Sequence, residues 1–161
     1  MGEVKRALDS DHSGNRMTMI APYITRAEYE CHHCHALPPS MVLERDGGWP
    51  IMFKYLFCDF EDLRGEWGRA IPILSGYRCI PHNKSVGGED GSVHIFGLAL
   101  DCGFDTPADC IKFKDMARRM KSDIRIGWRR YQAEGKNIVH FDVGHFIYPK
   151  FSTALMPGVE W

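Results

Sequence analysis

The sequence contains no apolar run approaching the roughly 18–20 residues that a bilayer-spanning helix needs, which argues against membrane insertion. Its first twenty residues, MGEVKRALDSDHSGNRMTMI, have no uninterrupted apolar core, so no secretory leader is expected. There is no basic excess: 20 Lys and Arg stand against 21 Asp and Glu, which disfavours a nucleic-acid partner. Internal repeats and low-complexity tracts are absent, which excludes solenoid and fibrous architectures. Cysteine is too sparse for a disulfide scaffold, with six in 161 residues. What remains, 44% hydrophobic and 25% charged, is the composition of one globular domain. A chain of this length buries a real core without covalent staples.

Residues 1–20 are polar and aperiodic and read as a mobile arm ahead of a folded domain over 21–161. Thr25-Arg26-Ala27-Glu28 has the capping-box pattern that starts a short helix. Pro38-Pro39-Ser40 is expected to open a helical turn through Asp46, with Gly47-Gly48 breaking it. From Pro50 to Trp67, Leu56, Phe60, Leu63 and Trp67 recur in steps of four, three and four, which predicts the main core helix. Ile71–Ser75 reads as a short strand, with Pro72 placing it at an edge. A long glycine-containing loop is expected over 76–92, then a strand over 97–103. An amphipathic helix follows over 107–121, with Ile111, Met116 and Met120 as inward candidates, and strands over 124–127 and 137–143 close the pattern. Helices followed by strands predict an α+β domain with a small antiparallel sheet flanked by helices.

Eight histidines accompany the six cysteines. The run Cys31-His32-His33-Cys34-His35 has the C-x-x-C spacing of half a zinc site, but no second matching pair exists. Cys58, Cys79, Cys102 and Cys110 are scattered singly, so packing cysteines, with a local disulfide outside the cell, are the competing reading. A second group is more demanding. His94 ends the long loop, and Asp101 follows seven residues later. His140 and Asp142 alternate along an apolar strand and therefore share one face. A charge buried there without a partner costs several kcal/mol, on the order of the effective desolvation penalty per ion. A bound cation resolves that cost, and two histidines with one aspartate are a sound zinc donor set. Separate polar residues, each satisfied locally, are the alternative.

The run SGYRC-x-x-HNK-x-VGG from Ser75, then S-x-H-x-x-G-x-A-x-D from Ser92 to Asp101, then VHFDVG from Val139 resembles the D-Ala-D-Ala carboxypeptidase family of zinc peptidases. The likeness is to its small single-domain phage and bacterial wall enzymes, and EYECHHC is similar to the family's cysteine-containing entry segment. It covers roughly residues 22 to 150 in the family's order and implies a hedgehog/D-Ala-D-Ala carboxypeptidase-like fold. It implies Zn²⁺ as cofactor, held by His94, Asp101 and His140. Arg78 corresponds to the family's substrate-binding arginine, and Ser92 would place a hydroxyl near the metal. The general base stays open. Several family members carry a carboxylate three residues before the last histidine ligand, where this chain has Asn137. Asp142, in the H-x-D of the small members, and Glu134, six residues before His140, are the two carboxylates available. His82 reads as a loop hydrogen-bonding group.

The resemblance implies a zinc metallopeptidase that hydrolyses amide bonds of peptidoglycan stem peptides, of carboxypeptidase or endopeptidase type. Cytoplasmic synthesis and action on the cell wall or periplasm, as a phage lysin or virion component, are the expected setting. The partners expected are peptidoglycan peptides and phage particle components, with no nucleic acid. The alternative, kept open by Asn137, is a metal-containing wall-binding or phage structural module that cuts little or nothing.

Overall fold

The computed structural model describes residues 19–45 and 48–147. The arm expected over 1–20 lies outside them except for its end, where Met19 and Ile20 already belong to strand β1 (Met19–Ala21). β1 pairs antiparallel with β2 (Ile24–Thr25). Thr25 then caps α1 (Arg26–Tyr29) with the reciprocal Thr25–Glu28 bonds of a capping box.

The long helix α2 (Ile51–Trp67) starts directly after Pro50 and stops at Gly68, whose φ of 70° closes it in the left-handed region. It buries Phe53, Leu56, Phe57, Phe60 and Leu63, the face that the periodicity marks. Trp67 is half-buried and meets Phe113 edge-on with ring centroids 5.9 Å apart.

β3 (Ile73–Ser75), β4 (Ala99–Gly103), β5 (Arg125–Gly127) and β6 (Ile138–Asp142) make one antiparallel sheet in the order β3-β4-β6-β5. This is the α+β domain expected from the sequence, with β3 at an edge. Between the strands lie α3 (Ile80–Ser85), α4 (Pro107–Met120) and α5 (Arg129–Ala133). Side chains alternate across a strand, so the sheet has two different faces. Leu100, Cys102, Ile126, Val139 and Phe141 are fully buried on the face that meets the helices, where Phe60 and Phe141 lie 6.3 Å apart. The opposite face carries Asp101 directly across from His140, and Asp142 directly across from Arg125.

Three expectations change. Residues 38–45 form turns rather than a helix: Met41 N–H closes on Pro38 C=O at 2.9 Å, and Glu44 N–H then bonds Gly48 C=O instead of continuing a helical ladder. The expected loop over 76–92 contains α3, with Pro81 in its first turn and Asn83 buried and bonded to the Glu89 carbonyl at 2.8 Å. On α4 the buried residues are Cys110, Phe113, Met116 and Ala117. Ile111 and Met120 are exposed, because the aromatic Phe113 sets the phase of the helix against Trp67 and Phe104.

Candidate active site

A left-handed Gly97 (φ 74°) turns the chain from one turn of 3-10 helix, Val93–Phe96, into β4. His94 on that turn therefore faces the strand that carries Asp101. β6 supplies His140 through the Asp101–His140 register. Three donor atoms converge: His94 Nε2 and His140 Nδ1 are 3.2 Å apart, and they lie 3.2 and 3.0 Å from Asp101 Oδ1. All three residues are buried.

The remaining ring nitrogens fix the orientation of both imidazoles. His94 Nδ1 donates to the Gly76 carbonyl at 2.6 Å, and His140 Nε2 donates to Asp142 Oδ2 at 2.8 Å. That leaves Nε2 of one ring and Nδ1 of the other directed at Asp101. Burial holds the His94 pKa down despite Asp101. Burial also opposes charge on His140, but Asp101 and Asp142 outweigh it and push this imidazole up to about 9. For Asp101, burial is overcome by the two histidines, and its carboxyl stays well below the ordinary range. The result is a buried anionic focus with two imidazoles turned towards it.

This donor set fits zinc. Ligand distances of about 2.0–2.2 Å in a tetrahedron require donors about 3.3–3.5 Å apart, close to the separations seen here. Residues that sequence reasoning missed complete the surroundings. Tyr131 on α5 donates its hydroxyl to Asp101 Oδ1 at 3.1 Å. Arg125 Nη2 lies 3.3 Å from Asp142 Oδ2, and the Gly144 amide donates to Asp142 Oδ1 at 2.7 Å. The alternation of Arg125 with Ile124 and Ile126 was the available signal; Tyr131, on a five-residue helix, offered none.

The histidines open onto a cleft of 340 Å³ also lined by Arg78, Ser92, Tyr131 and Glu134. Arg78 Nη2 stands 3.7 Å from Asp101 Oδ2. Glu134, at the end of α5, is held ionised by Lys136 at 2.8 Å and Arg130 at 3.2 Å, which lower its pKa. Asp142 is fully buried, with both oxygens engaged as described. Asn137 turns away: its amide donates to the Asp105 carbonyl at 3.0 Å and it borders a separate hollow near Trp67 and Phe104. That hollow, 530 Å³, is the larger of the two but contains none of the converging histidine and aspartate groups. Cys31, Cys34 and His35 do not line the cleft that the two histidines open onto; His35 bonds Glu30 at 3.0 Å instead.

The family model for Peptidase M15 matches residues 42–142, more than half of the chain and all three converging residues. The chain belongs to the Peptidase M15 family. No curated protein matches it. The M15 family is zinc-dependent in general, and this member places His94, Asp101 and His140 where one ion can be held. No helix of the described residues of this M15 peptidase is long and apolar enough to cross a membrane.

Proposed function

We propose that this M15 peptidase uses zinc to hydrolyse amide bonds in peptidoglycan stem peptides, with carboxypeptidase or endopeptidase specificity. The observation that carries this reading is the convergence of His94, Asp101 and His140 within 3.2 Å, with both histidines lining a cleft that also presents Arg78 and Glu134. Zinc held by the three ligands would supply Lewis-acid polarisation of a carbonyl and a water acidified toward neutrality. Arg78 offers a planar guanidinium for a peptide carboxylate or a developing oxyanion. Glu134, exposed on the cleft wall with its oxygens paired to Arg130 and Lys136, would exchange one of these pairs for the proton it accepts and can pass that proton to the leaving amine. Asp142 fixes the His140 ring through Nε2, while Tyr131 and the Gly76 carbonyl hold Asp101 and His94 in place. Ser92 adds a hydroxyl at the cleft wall. Wall degradation, in phage lysis or at virion entry, is the setting this chemistry suits.

The test is digestion of purified sacculi, with and without chelator, followed by mass spectrometry of the muropeptides. Chelator-sensitive new amino or carboxyl termini, absent with His94→Ala, are expected. Zinc-loaded protein that binds sacculi and releases nothing would overturn the peptidase reading in favour of a wall-binding module.

A further inference from the structure

A second group of metal-ligating side chains lies outside the catalytic cleft, where two segments far apart in sequence meet. Cys31 Sγ and Cys79 Sγ are 3.5 Å apart, and Cys34 brings its sulfur into the same cluster, all three within 4.8 Å of one another. Cys31 Sγ also lies 3.4 Å from His82 Nδ1, nearer than the competing imidazole His33 Nδ1 stands to Cys79 Sγ, at 3.8 Å. Around a tetrahedral zinc, with Zn–S about 2.3 Å and Zn–N about 2.0–2.1 Å, sulfurs stand about 3.7 Å apart and sulfur and nitrogen about 3.6 Å. The Cys31–Cys79 and Cys31–His82 separations are near those edges before any ion is bound.

The backbone is arranged for thiolates as well. The Cys79 amide donates to Cys31 Sγ at 3.4 Å. His35 N–H closes the Cys31–Cys34 turn on the Cys31 carbonyl at 2.8 Å, and His35 takes a φ of 54°, in the left-handed region that few non-glycine residues occupy. An amide donor to a sulfur stabilises negative charge there, as a metal thiolate requires.

We propose that Cys31, Cys34, Cys79 and His82 form a second, structural zinc site of the Cys3His type. The spacings are C-x-x-C and C-x-x-H, and four protein ligands close the coordination sphere. The site would clamp the segment after α1 to the start of α3. Arg78 immediately precedes Cys79, and Tyr77 N–H bonds the Tyr29 carbonyl at 2.8 Å beside the same junction. The clamp would therefore hold the substrate-facing arginine from behind.

Metal content and cobalt spectra of the full chain test this independently of peptidase activity. Two zinc ions per chain are expected by elemental analysis. Cys34→Ser and His82→Ala should each retain one, and so should His94→Ala, which removes the other. Cobalt(II)-substituted protein should show a thiolate-to-metal charge-transfer band that survives His94→Ala and disappears with Cys34→Ser. Because Cys34 is exposed, that variant reads the site even if replacing buried Cys31 prevents folding. One zinc per chain with no thiolate band, or a Cys31–Cys79 disulfide in the intact mass, would overturn the site. Zinc loss with His33→Ala but not with His82→Ala would overturn the assignment of the fourth ligand. Two zinc ions without cleavage of sacculi would count against the peptidase reading alone.

Discussion

His140 donates from Nε2 to Asp142 Oδ2 across 2.8 Å, and the Asp142 carboxylate is itself braced by the Gly144 amide and Arg125. The pair sets the direction in which Nδ1 faces Asp101. Asp142→Asn keeps the shape but removes the charge that fixes this ring. Zinc affinity is expected to fall roughly 10–100-fold, the usual effect of losing such a partner, as read by competition with a chromogenic chelator. Activity should return at saturating zinc. Unchanged zinc affinity with a thousandfold loss of kcat would instead make Asp142 the proton acceptor.

Glu134 occupies a different environment, at the wall of the cleft with its charge maintained by Lys136 and Arg130. Glu134→Gln removes proton acceptance together with the two exposed ion pairs to Lys136 and Arg130, which lie away from the three converging residues. A decrease in kcat of about 10²–10⁴-fold is expected, the range for a lost general acid–base group, with full zinc occupancy. Single-turnover kinetics beside metal analysis measures both quantities. A rate within a few-fold of the parent would leave the proton to another group.

Arg78 is only 12% exposed in its side chain and aims its Nη2 towards the ligand Asp101. Arg78→Lys keeps the charge but loses the planar fork that can grip a carboxylate at two points. A charged hydrogen bond of about 1.5–3 kcal/mol corresponds to a loss in kcat/KM of about ten- to hundredfold. The loss should be larger for substrates with a free terminal carboxylate than for the corresponding amides. Equal losses on both would remove the anchoring role.

The legible parts of this protein are those with a long period or a local rule. The repeat of Leu56, Phe60 and Leu63 marks α2, the Thr25–Glu28 box marks α1, and alternation places His140 and Asp142 on one face of β6. Two short helices without such a box were illegible, since α3 and α5 have six and five residues and cannot display a 3.6-residue period. Pro38-Pro39-Ser40 imitates a helix start, but only tertiary contacts decide whether a ladder follows, and here the chain makes turns. The partner of the Cys31–Cys34 pair was hidden for another reason. Cys79 is 48 residues away from Cys31, and only the packing of β3 against α1 brings them together.

Thr106 caps α4 by accepting the Asp109 amide at 3.1 Å, and its hydroxyl donates to Asp109 Oδ2 at 2.8 Å. Thr106→Ala should cost about 1 kcal/mol, measured by urea unfolding at neutral pH. The same hydroxyl, with Arg69, lowers the Asp109 pKa below its ordinary 3.8. A depressed folded-state pKa contributes stability that is present above the unfolded value and lost as pH falls through the folded one. The difference between parent and Thr106→Ala should therefore shrink on acidification below about pH 4, near the unfolded carboxyl value. A constant difference across that range would mean that the amide bond alone carries the cap.

Gly76 serves two neighbours at once. Its carbonyl accepts from His94 Nδ1 at 2.6 Å, and a Cβ at this position would stand 2.5 Å from the Tyr29 carbonyl oxygen and 2.8 Å from Tyr29 Cα. Those atoms are backbone of the buried Tyr29, so they cannot swing aside as a flexible side chain would. Gly76→Ala must therefore push the end of β3 away from α1, at a cost of about 1–3 kcal/mol for overpacking. The displacement carries the carbonyl away from His94, which loosens the ring that presents Nε2 to Asp101. Lower unfolding stability and weaker zinc binding are expected together in this variant, read by urea denaturation and chelator competition on one preparation. Reduced stability with parental zinc affinity would show that the His94 ring is held without the Gly76 carbonyl.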